Sequence, residues 1–319
     1  MKSPPPPLRI VFFGSGGFAV PPLEALLAGP DKVVLAVTTP AAKAGRGRVL
    51  SSTSVAKLAA DHGLSVMETA SVNSQEAIDA IERAQPELLV VVAFRGFLGQ
   101  KLLSLGYTPP INIHPSLLPR HRGPAPVNWT LINRDLECGV SITFVELKVD
   151  AGPILAQKAM PVPEAVGAGD LEGELSKIGA SLLLEVTQQL KEDHLAPVPQ
   201  DESLATINRL LGKADGQLDF GRPAELLSAQ INGVDPWPGA QAMLEEKSVK
   251  LFKASSAEGT GSPGQALGLD EKGRLKVGTG GGVLLISELQ LEGKTRLPAS
   301  EFTKGHRLER LEGTSKGPA

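Results

Sequence analysis

The chain has one cysteine, Cys138, so no disulfide can form within it and a sulfur-stapled scaffold is excluded. Aromatic residues make up only 4% of the 319, which leaves valine, leucine, isoleucine and alanine to fill a core. No apolar run approaches the roughly 20 residues that span a bilayer. Behind the opening MKSPPPP stands neither a signal-peptide hydrophobic stretch nor an arginine-rich transit pattern. A lone thiol without an export signal predicts a reducing compartment, the cytoplasm. The five histidines, His62, His114, His121, His194 and His306, lack the spacing of HExxH-type sites, so no metal is expected. No G-x-S-x-G elbow occurs either. Net charge is −3, with the part beyond residue 206 about neutral and the part before it mildly acidic. A polyanionic partner would therefore have to be met by local basic clusters.

What is present is an N-terminal two-thirds that alternates apolar runs with helical stretches. LRIVFF (8–13), VVLAVTT (33–39), ELLVVVAF (87–94), INIH (111–114) and SITFVEL (141–147) read as strands, with helices near 18–28, 52–62, 74–84 and 169–191. Val/Leu/Ile runs without polar alternation mean strands covered on both faces. That predicts a doubly wound α/β unit with a parallel sheet. Residues 192–206, EDHLAPVPQDESLAT, are polar and proline-containing and read as a linker between units of residues 1–191 and 207–319. Beyond it one amphipathic stretch at 223–233 precedes several short strands, which predicts a small barrel or sandwich of about 100 residues. GTGGG (278–282) lies between two of these strands and reads as a hairpin turn.

Gly14, Gly16 and Ala19 satisfy the G-x-G-x-x-A form of the dinucleotide fingerprint. Such a site also needs an acidic residue about 20 positions on, to hold a ribose hydroxyl. Here that position offers Thr38, Thr39 and Pro40. Pro21 and Pro22 also crowd the first helical turn. The glycines read as a tight strand-to-helix turn, and no NAD or FAD is expected.

The informative stretches are INIHPSLLPRHRGPAPVNW (111–129) and VELKVDAGPIL (145–155). Asn112 and His114 alternate along one short strand and so share a face, and Pro115 ends that strand. Asp150 follows the next strand by a few residues, before Ala151 and Gly152. Ligands of open α/β sheets bind at the carboxyl ends of strands. An amide, an imidazole and a carboxylate converging there suit acyl transfer to an amine. The imidazole takes the amine proton, the amide N–H donates to the developing oxyanion, and the carboxylate orients the imidazole. Each residue has a plainer use as well. Histidine or asparagine at a strand end makes structural hydrogen bonds, and Asp before Gly is ordinary turn chemistry. Spacing alone leaves both readings open.

NIHPSLLPRHRG (112–123), taken together with VDAGP around Asp150, resembles the 10-formyltetrahydrofolate-dependent formyltransferase family. FFGSGGFAVPPLEAL, AGRGRVL (44–50), PELLVVVAFRG (86–96), VDPWPGA (234–240), GSPGQAL (261–267) and the stretch 286–308 extend the resemblance over nearly the whole chain. It implies a Rossmann-like catalytic domain followed by an OB-like β-barrel, and 10-formyltetrahydrofolate as co-substrate. The acceptor it implies is the α-amino group of methionyl initiator tRNA, and a monomer is expected. Asn112, His114 and Asp150 are then catalytic. Ser116, Leu117, Leu118 and Pro119, with Val92 and Phe94, line the folate site. Gly45, Arg46, Gly47 and Arg48 form a basic loop toward the tRNA, whose glycines let it adapt while the arginines meet phosphate. The sequence departs from the family's usual pattern at Gly16-Gly17, Phe94-Arg95 and Ala151, none of them in the triad.

The same resemblance admits a nucleotide-sugar amine formyltransferase or a 10-formyltetrahydrofolate hydrolase. The GRGR loop and the LQLEGK to GHRL ending favour the tRNA acceptor. A reading of another class is a non-catalytic RNA-binding protein, for which the three polar residues would have no use.

Overall fold

The computed structural model describes residues 5–44, 49–106 and 108–314. Its first elements are β1 (Arg9–Gly14), α1 (Val20–Ala28), β2 (Lys32–Thr38), β3 (Ala42–Ala44), β4 (Val49–Ser51), α2 (Ser54–Asp61) and β5 (Val66–Glu68). Next come α3 (Gln75–Arg83), β6 (Leu88–Val92), α4 (Gln100–Leu103), β7 (Ile111–His114), α5 (Pro126–Ile132), β8 (Glu137–Phe144), β9 (Ile154–Pro161) and α6 (Ala168–Lys191). Seven strands form one sheet in the order β5-β2-β1-β6-β7-β8-β9. The first five are parallel, whereas β8 pairs with β7 antiparallel. The run at 141–147 thus belongs to a strand that makes the sheet mixed rather than wholly parallel.

The local chemistry accounts for these elements. Every residue of β6 is buried, as a strand covered on both faces requires. Thr53 and Ser74 cap α2 and α3, their hydroxyls accepting from the amides of Ala56 and Ala77. Both prolines of α1 lie in its first turn, where backbone N–H groups have no helical partner to lose. Gly14 is required by space: a Cβ there would stand 2.8 Å from the Ala19 side chain. The hydroxyl of Thr38, at the end of β2, is tied to Thr53 at 2.8 Å and Ser15 at 3.2 Å. The glycine turn is therefore a packing device between β1 and α1. Sheet order reverses between β1 and β6, so a crevice is expected at the carboxyl ends of the strands nearby.

Further along the chain are α7 (Ala224–Gly233), β10 (Ala240–Leu244), β11 (Lys247–Ala257), β12 (Ala266–Leu269), β13 (Leu275–Gly278), β14 (Val283–Leu291), β15 (Leu297–Pro298), α8 (Ala299–Gly305) and β16 (Glu312–Gly313). An antiparallel sheet runs β12-β13-β14-β11-β10-β16, with β15 on β14. GTGGG joins β13 to β14, and Gly278 pairs with Val283, so it is a hairpin turn. The sheet curls until its ends meet: Ala266 N donates to Glu309 O at 2.9 Å and Leu311 N to Gly264 O at 2.8 Å. Leu227 and Ile231 of α7 enter the enclosed core with Leu251, Ile286, Leu289 and Phe302.

By compactness the chain divides into residues 1–123, 139–160 and 172–207 on one side and 124–138, 161–171 and 208–319 on the other. No described helix is long and apolar enough to cross a membrane.

Candidate active site

β7 carries Asn112 and His114 to the carboxyl edge of the sheet. The carboxylate of Asp150 lies between them. Asn112 Nδ2 donates to Asp150 Oδ1 at 3.4 Å, and His114 Nδ1 stands 3.6 Å from Asp150 Oδ2. His114 Nε2 is 2.8 Å from the carbonyl oxygen of His121, and a carbonyl can only accept. Nε2 therefore carries a hydrogen, and the nitrogen that exchanges a proton is Nδ1, the one facing the carboxylate. With side-chain exposures of 7% and 15%, this imidazole and carboxylate are poorly screened by water.

Asp150 is held by its backbone as well as its side chain. Its φ is +50°, in the left-handed region where a non-glycine residue is strained. Gly123 N donates to Oδ2 at 2.8 Å. Gln200 Nε2 donates to the carbonyls of Asp150 and Gly152, at 2.9 and 2.8 Å. Gly152 admits no side chain, since a Cβ would fall 2.0 Å from the carbonyl oxygen of Phe144.

Behind this loop lies Arg122, whose side chain is 2% exposed. Its Nε and Nη2 donate to Gln200 Oε1 at 3.0 and 2.8 Å, and its Nη1 and Nη2 to Glu202 at 3.1 and 2.9 Å. Lys148 Nζ adds a bond of 2.6 Å to Glu202. The hydrogen bonds from Arg122 and Lys148 hold the Glu202 carboxyl down to about 2. Sequence reasoning missed Arg122, Gln200 and Glu202. The dense donors and acceptors of PQDES within a presumed linker were the available signal.

A cleft of about 120 Å³ opens beside Asn112 and Asp150. Val91, Phe97, Thr143, Phe144, Val145, Glu146 and Val149 complete its wall. Val91, Asn112 and Thr143 are lateral neighbours on β6, β7 and β8, so their side chains share one face of the sheet. Val92, one residue on, is fully buried and paired with Ile113. Phe94 packs edge-on against Phe13, ring centroids 5.7 Å apart. Neither lines this cleft, nor do Ser116, Leu117, Leu118 and Pro119. In that turn Ser116 Oγ donates to Arg120 O at 2.8 Å, and Ser141 Oγ accepts from Leu118 N at 3.0 Å. Gly45, Arg46, Gly47 and Arg48 fall outside the described residues, between the paired strands β3 and β4. Among the described residues no group of three or more His, Cys, Asp or Glu is placed to hold a metal ion.

The chain's likenesses agree with this chemistry. Residues 8–187 match the family model described as formyl transferase, and residues 210–307 match the formyl transferase C-terminal domain. A methionyl-tRNA formyltransferase of Geobacter sulfurreducens is 41% identical over 312 residues, covering 98% of each chain. One of Roseiflexus castenholzii is 40% identical over 316 residues, covering 96% of this chain and 99% of its own. Among solved structures, HypX from Aquifex aeolicus in complex with tetrahydrofolic acid superposes with a TM-score of 0.63 at 19% identity, covering 93% of this chain and 47% of that one. The sugar 3N-formyl transferase WlaRD gives 0.64 at 17% identity, covering 90% and 99%. At such identities these two structures speak to the fold alone.

Proposed function

We propose the function from one premise: the chain belongs to the formyl transferase family. It transfers the formyl group of 10-formyltetrahydrofolate to the α-amino group of the methionine carried by initiator tRNA. The observation that carries this reading is end-to-end agreement with relatives named methionyl-tRNA formyltransferase, through both domains. The formyl donor is consumed, so it is a co-substrate. The cleft suits the ring end of such a donor. Its walls, Val91, Phe97, Val145 and Val149, are apolar, while Asn112, Glu146 and Asp150 supply a few polar contacts.

The chain's residues then divide the chemistry as follows. A neutral amine attacks the formyl carbon, a C–N bond forms, and the carbonyl electron pair moves onto oxygen. Asn112 spends one amide N–H on Asp150 and has a second to donate to that oxygen. His114 Nδ1 takes a proton from the attacking nitrogen, and the Asp150 carboxylate steadies the imidazolium formed. When the carbonyl reforms, the bond from formyl carbon to folate nitrogen breaks and the proton passes to the departing nitrogen. No side-chain nucleophile is needed. Ser116, Leu117, Leu118 and Pro119, with Val92 and Phe94, serve in this reading as the folate-lining set, and the cleft beside Asn112 adds Val91, Phe97 and Val145 to it.

Residues 1–191 serve in this reading as the catalytic domain and 207–319 as the tRNA-binding domain, with Arg46 and Arg48 meeting the acceptor end. The protein acts as a cytoplasmic monomer. The decisive experiment offers labelled formyl donor with Met-tRNA, with an amino-sugar nucleotide and with water alone. Label on Met-tRNA supports the assignment; label on the sugar, or release as formate only, refutes it. Arg46→Ala should raise the KM for Met-tRNA and leave that for the folate donor unchanged. Equal effects on both would remove the loop from tRNA recognition.

A further inference from the structure

The stretch 121–123 touches both members of the imidazole–carboxylate pair through its backbone. The carbonyl of His121 accepts from His114 Nε2, and the amide of Gly123 donates to Asp150 Oδ2. His121 itself has φ +61°, so this stretch is bent into a conformation that needs support. The support comes from about 80 residues further along the chain. His121 N donates to Thr206 Oγ1 at 2.8 Å, Arg122 N to Thr206 O at 2.9 Å, and Thr206 N to Pro119 O at 3.2 Å.

Between those two backbone contacts projects the Arg122 side chain, which holds Gln200 by two hydrogen bonds. Gln200 in turn holds the main chain of Asp150 and Gly152 by two more. Both faces of the Gln200 amide are thus fully used, its oxygen by Arg122 and its nitrogen by the catalytic loop. A closed circuit results. The backbone of residues 121–123 grips the two side chains, and the Arg122 side chain grips, through Gln200, the backbone that carries one of them.

We propose that Arg122 and Gln200 are positioning residues, which set the separation of the His114 imidazole from the Asp150 carboxylate. The segment at 198–206 is therefore part of the active-site framework as well as a connection. This inference rests on the formyl-transfer reading for its kinetics but on geometry alone for its spectroscopy. Glu202 and Lys148 extend the circuit outward, with Glu202 more than half exposed. They brace Arg122 and touch neither catalytic side chain.

The test uses the full-length chain with Gln200→Leu and Arg122→Met, 10-formyltetrahydrofolate and Met-tRNA. In the folded variants kcat should fall roughly 10- to 100-fold, with both KM values within about twofold of the parent. Histidine-selective ¹⁵N NMR of the unliganded protein supplies the second readout, with the His114 signal assigned by its loss in His114→Gln. Gln200→Leu removes the bonds that Gln200 makes to Arg122 and to the carbonyls of Asp150 and Gly152, and leaves those from Arg122 to Glu202. With that loop released, the resonance of His114 Nδ1, the ring nitrogen that faces the carboxylate, should shift from its parental position at the same pH.

An unmoved His114 Nδ1 resonance in the folded Gln200→Leu variant overturns the inference, whether kcat falls or not. Should Arg122→Met fail to fold, Gln200→Leu carries the test. If the parent proves inactive on Met-tRNA while the His114 Nδ1 resonance still shifts in Gln200→Leu, the acceptor assignment falls and the positioning role stands.

Discussion

Replacing Asp150 by asparagine keeps the shape of the side chain and removes its charge. In the parent, the carboxylate lies 3.6 Å from the nitrogen that becomes positive when His114 takes the amine proton. At an effective dielectric constant of ~20, a pair of unit charges at that distance is worth about 4–5 kcal/mol. Part of that attraction survives in the variant, because the asparagine oxygen keeps a dipole pointed at the ring. An amide turned the other way would donate to Nδ1 and hold the base neutral. A net loss of about 3–4 kcal/mol in the transition state corresponds to roughly a 10²- to 10³-fold fall in the chemical step. Single-turnover formylation of Met-tRNA at saturating donor reads that step without interference from product release. Fold is expected to survive, since an asparagine oxygen can still accept from Gly123 N. A folded Asp150→Asn variant with a single-turnover rate within threefold of the parent would refute the role given to this carboxylate.

Other variants separate the remaining roles. Asn112→Ala deletes the proposed oxyanion donor, so kcat should drop about 10²- to 10³-fold; an unchanged kcat in steady-state assays would remove the residue from catalysis. Gly152→Ala drives a methyl group into the Phe144 carbonyl. Urea unfolding should show a loss of about 2–4 kcal/mol, and a parental midpoint would contradict the packing described. For Glu202, the folded-state value of about 2 lies below the ordinary 4.5. Its stabilising effect is therefore complete above pH 4.5 and declines as the pH falls from there toward 2. The gap in denaturation midpoint between the parent and Glu202→Gln should accordingly narrow from pH 7 to pH 3, and a constant gap would mean that the Arg122–Glu202 pair contributes no such linkage.

Much of the α/β unit was legible because its strands announce themselves. INIH spans the same four residues as β7, and the valine-rich run at 87–94 contains β6, since a strand buried on both faces carries little but branched apolar side chains. β9, ILAQKAMP, escaped for the opposite reason: it is half exposed, lies at the end of the sheet, and mixes polar with apolar positions. The short strands β3, β5 and β16 likewise offer too few residues for any period to show. Orientation was hidden as well. SITFVEL has the composition of a central parallel strand, yet it joins β7 antiparallel, and only the course of the chain before it decides that.

Within the site, the residue types and their spacing identified Asn112, His114 and Asp150 as candidates. They could not say that one imidazole nitrogen is reserved for the His121 carbonyl. Nor could they reveal the Arg122–Gln200 bond, which joins residues 78 apart. The cleft wall turned on the twofold alternation of β6: Val91 shares the Asn112 face and Val92 does not. Composition is blind to that choice.

The meeting of the 264–266 segment with residues 309–311 has a bearing on how the protein is made. The stave that completes the ring follows strands β10–β15 in chain order, so during synthesis this unit stays open along one seam until residues 309–313 have been made. A stop codon just ahead of Glu309 would spare every α/β strand and still leave two bare β edges, each ready to zip onto a neighbouring nascent copy.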